Sequence, residues 1–216
     1  MPMPADGSTA RPRRSQAERR DESERRLMTA TIAVICDQGV RAATFEAIGT
    51  RAGYSRGLAA QKYGSKQGMI EALIAHLHAR QNEALAAAGV DTAPGLEAVL
   101  GYVEHFIARL REDDEGRAYF MLLADAVADL SALRTAFAAS HEKVERMLEA
   151  MILRGQAEGA IRPEVDADAA ALSIGSLLMG LSIQSLIDPA MDLAPIRATS
   201  LAMLRGGLAV VPASGA

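Results

Sequence analysis

The chain has 216 residues, of which 50% are hydrophobic, 23% are charged and 4% are aromatic. That hydrophobic fraction can bury a sizeable core and excludes an intrinsically disordered chain, and the length allows one large domain or two smaller ones. The net charge of -4 is unevenly distributed: residues 1–66 carry 12 basic and 7 acidic side chains, and residues 67–216 carry 11 and 20. A basic end on an acidic protein is typical of a protein that binds a polyanion.

Residues 1–20 contain prolines and several arginines, and we predict a disordered basic tail there. Two interpretations of its charge stay open: a solvated end, or an arm that enters the minor groove of DNA. The arginines nearest the first helix, which would belong to such an arm, are Arg19, Arg20, Arg25 and Arg26.

The chain has a single cysteine, Cys36. This excludes an intrachain disulfide and suits a reducing cytoplasm, and we expect Cys36 to act as a small hydrophobic residue rather than a redox sensor. No apolar run follows the basic residues of the N-terminus, so a secretory signal is not expected. The sequence therefore predicts a cytoplasmic protein.

Hydrophobic periodicity and capping residues predict three helices in a small domain over residues 21–65. Gly39 is a natural stop for the first helix, and Thr44 and Ser55 are good N-caps for the two that follow. The three helices span about residues 21–38, 44–52 and 56–63.

The hydrophobic pattern predicts six longer helices over residues 66–210, and we expect a short tail over residues 211–216. The bounds expected for these helices are about 66–88, 94–112, 115–130, 133–158, 166–187 and 193–209. The fold class is therefore all-α: an N-terminal three-helix domain followed by a C-terminal helical bundle.

The most informative block is TFEAIGTRAGYSRGLAAQKYGSK, from Thr44 to Lys66. Two short helices joined by a tight turn with glycine form the helix-turn-helix pattern. Gly49 is small enough for the helices to cross closely, and Gly53 can adopt the positive φ that the turn requires. The second helix presents Arg56 and other polar side chains outward, and such side chains can reach base edges in a major groove.

This block resembles the TetR family of DNA-binding regulators over about residues 25–75. The resemblance implies that Ser55, Arg56 and Gly57 open the recognition helix, that Thr44 touches the DNA backbone and that Lys66 binds a phosphate. The residues expected to contact DNA are Thr44, Tyr54, Ser55, Arg56, Gly57, Leu58, Gln61, Lys62 and Lys66. The chain departs from the family where many members carry Tyr or His: it has Ala60, Gln61 and Lys62, and Tyr63 stands where Phe is usual.

The resemblance also implies a ligand pocket inside the C-terminal bundle, for a small apolar or amphipathic molecule. Met side chains adapt to irregular ligands, although for any single one of these residues ordinary core packing is the better explanation. The candidate pocket residues are Tyr102, His105, Phe106, Phe120, Met121, Phe137, Met147 and Met151.

Residues 169–187 carry no charge, so a membrane span and a helix surrounded by protein are both considered. The serines and glycines in this segment favour protein, and small residues at helical spacing allow a second helix to approach closely. We therefore expect a homodimer, with no membrane, through the last two helices. The candidate interface residues are Ser173, Ser176, Leu177, Gly180, Leu181, Leu201 and Leu204.

Catalysis, metal binding and a cofactor are not expected. The four histidines are dispersed, and no phosphate loop, nucleophile elbow or metal motif is present. The predicted function is that of a regulator, most simply a repressor, that binds a palindromic double-stranded operator and is released by a small molecule. The helix beginning at Lys66 would couple the two halves. The rival is a helical ligand carrier that has lost DNA binding.

Overall fold

The computed structural model describes residues 15–110, 114–129 and 133–210. Over these ranges nine α-helices form the chain, which confirms the all-α fold class. They are α1 (Gln16–Gln38), α2 (Phe45–Ala52), α3 (Arg56–Tyr63), α4 (Lys66–Ala87), α5 (Gly95–Arg109), α6 (Asp114–Ala128), α7 (Leu133–Ala157), α8 (Ala167–Ile187) and α9 (Leu193–Leu208). The expected tails at residues 1–14 and 211–216 lie outside the described residues.

Helix α1 begins at Gln16, so the expected tail over 1–20 and the expected start at Asp21 are wrong by one helical turn or more. Ser15 and Glu18 form a capping box, in which the Ser15 hydroxyl accepts from the Glu18 N–H and the Glu18 carboxylate accepts from the Ser15 N–H. These two hydrogen bonds satisfy N–H groups that a helix start leaves unpaired, so the exposed charged segment continues the helix.

Capping hydrogen bonds and a turn glycine within the segment fix where the two helices of the helix-turn-helix begin and end. The Thr44 and Ser55 hydroxyls accept from the N–H groups of Ala47 and Leu58, at 3.2 and 3.4 Å. Gly53 has φ of 76° in the turn between α2 and α3, where a side chain would be strained. A short 3-10 helix, Val40–Ala42, precedes α2 and was not anticipated from the sequence.

The buried hydrophobic residues form two clusters. The first joins α1, α2, α3 and the N-terminal part of α4 to α6 and to Phe137 of α7. The second lies among α5, α7, α8 and α9. The first core thus continues across the expected domain boundary at 65/66, so the three N-terminal helices pack directly on the C-terminal bundle.

Helix α8 is buried along one face only, which packs on α7 and α5. Among the described residues, α8 alone is long and apolar enough by composition to span a membrane, with a mean hydropathy of 1.7, and one such helix is weak evidence for a span. Its opposite face exposes Leu172, Ser173, Ser176, Leu177 and Gly180. The described part of the chain therefore leaves an apolar helix face uncovered.

Candidate nucleic-acid interface and ligand cavity

The recognition helix α3 has one buried and one exposed face. Ala59 is completely buried, whereas Arg56 and Gln61 are exposed. Ser55 and Gly57 are also exposed, Leu58 is half-buried, and Tyr54 is half-buried against the first cluster. The exposed face thus presents a guanidinium and an amide, which are groups that read base edges.

Gly49 positions the start of this helix. A Cβ atom at Gly49 would lie 3.0 Å from the Tyr54 carbonyl oxygen and 3.1 Å from the Arg56 nitrogen. Both neighbours are backbone atoms, which cannot rotate away. The absence of a side chain at Gly49 therefore lets α2 contact the turn and fixes the position from which Arg56 projects.

The two lysines expected to bind phosphate are both engaged within the domain. Lys62 forms an ion pair with Glu24 of α1. Lys66 is an exposed residue, and its ammonium group donates to the Val40 carbonyl at 3.0 Å. Arg41, which follows Val40 in the chain, is exposed and adds a basic group that sequence reasoning missed. Only its charge in the loop before Thr44 could have indicated it.

The Lys62–Glu24 pair predicts an unusual response to a charge substitution. Replacing Glu24 with glutamine frees Lys62 for a DNA phosphate, so we expect duplex affinity to rise severalfold at low salt. The slope of log K against log salt is expected to steepen by about one unit, measured by fluorescence anisotropy. Glu22→Gln is the matched control, because it removes the same charge from α1 at a carboxylate that pairs with Arg25 and Arg26 of its own helix. Equal affinity gains in both variants would contradict a specific Lys62–Glu24 competition.

The C-terminal bundle encloses a cavity of about 680 Å³, within the range of small-molecule sites. Of the eight expected pocket residues, the structure places five in its wall: Tyr102, His105, Phe106, Phe120 and Met121. The other three do not line it. Phe137 lines a shallower depression between α6 and α7, Met151 is buried in the second cluster, and Met147 packs on that cluster.

Most of the polar side chains of the wall, apart from Tyr102 and His105, were missed from the sequence. Gln81 donates to the Tyr102 hydroxyl at 3.3 Å. His78 hydrogen-bonds Ser140 of α7, and the Tyr119 hydroxyl donates to the same Ser140 oxygen at 3.5 Å. The cavity wall also includes His141, Cys36, Arg109, Arg117, Glu115 and Glu145. The wall thus combines an aromatic surface with polar groups that can orient a ligand.

Burial shifts the pKa values of the titratable groups in this wall. Desolvation lowers the pKa of His78, with smaller effects of His141 and Lys143, and desolvation also lowers the pKa of His141. Desolvation raises the pKa of the Tyr119 and Tyr102 hydroxyls. In the recognition helix, burial and then Glu24 raise the pKa of Tyr63 to about 12. His78 and His141 are therefore neutral at pH 7.

Lowered histidine pKa values predict loss of stability in acid. Below the ordinary histidine pKa of 6.5 the unfolded chain binds more protons than the folded chain, so the free energy of unfolding falls as the pH decreases from about 7 to 5. Urea unfolding at several pH values measures this slope. The His78→Gln/His141→Gln double variant should have a flatter profile than the wild type. Identical profiles for the two proteins would contradict the assignment.

The cavity reaches α1, the first helix of the N-terminal domain, directly. The Cys36 thiol, near the end of α1, lines it and donates to the Asp114 carbonyl at 3.4 Å. The Arg117 guanidinium of α6 donates to the Cys36 carbonyl at 2.7 Å. A change at the start of α6 would therefore act on α1 as well as on α4.

The expected interface residues fall into two groups. Ser173, Ser176, Leu177 and Gly180 are exposed on α8, and the wall of the cavity also includes Ser176. Leu181, Leu201 and Leu204 are half-buried and pack on the second cluster of their own chain. Two further apolar side chains of these helices, Leu172 of α8 and Met203 of α9, are 57% and 71% exposed.

Within the described ranges, no group of three or more His, Cys, Asp or Glu side chains is placed to hold a metal ion.

An exposed helix-turn-helix that shares a core with a cavity-bearing helical bundle defines a ligand-responsive, DNA-binding regulator. Residues 27–73 match the family model for bacterial regulatory proteins of the tetR family, and residues 95–209 match that for the C-terminal part of BetI-type transcriptional repressors. The chain therefore belongs to the TetR family of transcriptional regulators. A search of curated protein sequences found no match.

Similar solved structures support the fold. A TetR transcription regulator from Haloarcula marismortui has a TM-score of 0.76 at 18% identity, over 88% of this chain and 100% of the other. The fatty acid degradation regulator FadR from Bacillus halodurans has a TM-score of 0.75 at 17% identity, over 90% of this chain and 97% of FadR. SmeT, the repressor of a Stenotrophomonas maltophilia multidrug efflux pump, has a TM-score of 0.69 at 21% identity, over 89% of this chain and 96% of SmeT. The complex of SmeT with triclosan is also similar in structure.

Proposed function

We propose that this protein is a cytoplasmic repressor that binds a palindromic operator as a homodimer and is released from it by a small amphipathic molecule. The observation that carries the proposal is the exposed face of α3, with Arg56 and Gln61, on a domain that shares its core with the cavity-bearing bundle. A surface for bases and a cavity for a ligand are thus parts of one packed unit.

DNA binding in this proposal combines base contacts with phosphate contacts. Arg56 and Gln61 read base edges from α3, while Thr44, Lys66 and the missed Arg41 lie at or before the start of α2 or α4, where phosphates would supply affinity. Tyr54, Ser55, Gly57, Leu58 and Lys62 complete the contact surface.

In this proposal the ligand releases the protein from DNA by reducing the population of the dimer geometry that binds DNA. The free dimer holds its recognition helices at the spacing of the DNA groove, and a ligand that binds better to another geometry reduces that population. The start of α6, which contacts Cys36 through Asp114 and Arg117, provides a route to α1 in addition to the route through α4. The existence of a complex of SmeT with triclosan supports a small-molecule ligand for a protein of this fold.

Dimerisation in this proposal uses the uncovered face of α8, together with α9. Gly180 lies at its centre: a Cβ atom there would meet nothing within 4 Å in its own chain. Two helices from each chain would form a four-helix interface, and the two-fold axis would set the recognition helices about 34–36 Å apart, or a multiple of that distance.

Replacing Gly180 with arginine is therefore expected to leave the protomer folded but to break the dimer. The free energy of dimerisation should fall by several kcal/mol, because a charged side chain would be buried without a partner. Sedimentation equilibrium measures the dissociation constant, and circular dichroism checks the helix content. Ala124→Arg, which places the same charge on an exposed position of α6, is the control. A dimer that Gly180→Arg leaves as stable as the control would contradict this interface.

The proposed function is tested by selection of duplexes from genomic fragments with the purified full chain at two salt concentrations, followed by sequencing. Recovery of a palindromic site whose binding weakens steeply with salt is the expected result. Failure of the folded dimer to retain any duplex at low salt would overturn the proposal and leave the ligand carrier.

A further inference from the structure

Two histidines meet around one tyrosine in the cavity wall. The ring of Tyr119 lies 5.4 Å from that of His78, edge to face, and 6.2 Å from that of His141. Ser140 accepts from the Tyr119 hydroxyl and hydrogen-bonds the His78 Nε2 atom. We call His78, Tyr119, Ser140 and His141 the histidine cluster. Its members come from α4, α6 and α7, so their meeting depends on the packed bundle.

The hydrogen bonds of the cluster can run in either direction. When His78 is neutral, the Tyr119 hydroxyl donates to Ser140 and Ser140 donates to Nε2. When His78 is protonated, Nε2 donates to Ser140, the Ser140 hydroxyl donates to the Tyr119 oxygen, and the Tyr119 hydroxyl keeps its proton and can donate it in a hydrogen bond to another acceptor. Protonation therefore adds a positive charge and frees a hydroxyl donor at the same place.

Cations and carboxylates both surround the cluster, and two of the cations lie on the same helix as His141. The charge of Lys143 of α7 contributes to the lowered pKa of His78, and Arg134 of α7 lines the neighbouring depression together with His141. Among carboxylates, Glu142 pairs with Arg146, and Glu115 lies near His76 and Arg80. Glu145, one turn after His141, lines the same cavity. Other titratable groups on α4, α5 and α6 near the cavity are His76, Arg80, Tyr102, His105, Arg109 and Arg117. The cavity-lining residues of α8 are uncharged.

An aromatic surface leads away from the cluster. The Phe120 ring lies 5.2 Å from that of Tyr119 and 6.2 Å from that of Phe106, and the Phe106 ring lies 6.3 Å from that of Tyr102. This strip can cover the apolar body of a molecule whose polar group lies at the cluster. The cavity thus has an end suited to an acidic group and a wall suited to a ring or chain.

We propose that the ligand is an amphipathic carboxylic acid whose carboxylate binds at the histidine cluster and whose apolar body lies along Phe106 and Phe120. A histidine of the cluster takes up one proton from solvent as the carboxylate binds, which gives a charge-assisted hydrogen bond in place of a buried lone anion. The proposal deepens the proposed function, on which its regulatory meaning rests, but ligand binding can be measured without DNA.

The test compares three probes of nearly the same shape: 1-naphthaleneacetate, 1-naphthaleneacetamide and 1-naphthaleneethylamine, with decanoate and decanamide as a chain-like pair. Calorimetry in two buffers of different ionisation enthalpy gives the affinity and the number of protons taken up. The proteins are the wild type, His78→Gln, His141→Gln and the control His76→Gln, whose histidine lies outside the cavity wall. Duplex retention is measured separately on the same samples.

We expect at least one carboxylate to bind about tenfold or more tightly than its amide near pH 6, with proton uptake and a preference that declines as the pH rises, by at most about tenfold per pH unit for one proton. The preference and the uptake should be lost in His78→Gln or His141→Gln and kept in His76→Gln. Equal binding of the amide, tighter binding of the amine, binding without proton uptake, or no carboxylate binding would each overturn the ligand class. Loss of duplex retention in the absence of any probe would instead count against the proposed function.

Discussion

Replacing Arg56 with alanine is expected to lower operator affinity by about 1–3 kcal/mol and to relax the base preference at the position it reads. Arg56 is the exposed guanidinium in the first turn of α3, and Ser55 caps that turn just before it. Removing it deletes a base contact without disturbing the buried face of the helix. Fluorescence anisotropy with the selected duplex and with single-base variants measures both effects.

The control for Arg56→Ala is Arg146→Ala, which removes the same charge from an exposed ion pair on α7. This control should bind the duplex like the wild type, because α7 lies in the bundle. If Arg56→Ala weakened all duplexes equally and left base preference intact, Arg56 would be a phosphate contact and another α3 residue would read the bases.

Replacing Gly95 with alanine is expected to cost about 3 kcal/mol or more of unfolding free energy, the upper end of overpacking effects. A Cβ atom at Gly95 would lie 2.1 Å from the Gly155 nitrogen and 2.5 Å from the Met151 carbonyl oxygen. Because these are backbone atoms of α7, the two helices would have to separate. Separation would also weaken the hydrogen bond from the Gly95 N–H to Glu158, which is 2.8 Å long. Thermal unfolding should show a decrease of about 6 °C or more.

Gly101→Ala on the same helix is the matched control for Gly95→Ala. A Cβ atom at Gly101 would lie 3.5 Å from a Val90 methyl group, which is an ordinary contact. Alanine has the higher helix propensity, so this variant should be as stable as the wild type or slightly more stable. Equal stability of the two variants would show that α5 and α7 can move apart at little cost and would contradict the close crossing.

The features that could be predicted from the sequence are those that depend on neighbouring residues. Thr44, Gly53 and Ser55 act through hydrogen bonds or backbone angles within a few residues, so α2 and α3 begin and end where expected. The start of α1 had a local signal too, the spacing of Ser15 and Glu18. The charged composition of the same segment is typical of a solvated tail, so composition alone predicts no helix there.

The features that could not be predicted depend on packing between distant helices. Glu24 and Lys62 are 38 residues apart, and no pattern in either helix indicates their ion pair. His78 reaches Ser140 and the cavity only because α4, α6 and α7 pack around it. Phe137 and Met151 were wrongly expected in the pocket for the same reason. Each is as apolar as a pocket residue, but the rotation of its helix directs it away from the main cavity.

The central claim, that two chains read two half-sites through paired α3 helices, is tested most directly by changing the spacing of the half-sites. The selected operator is compared with the same duplex carrying about five inserted base pairs, half a helical turn, and with a duplex of one half-site. We expect the protein to bind both altered duplexes much more weakly than the selected operator, because the two-fold axis fixes both recognition helices on one side of the DNA. Equal binding to all three duplexes would contradict it, since each chain would then bind DNA independently.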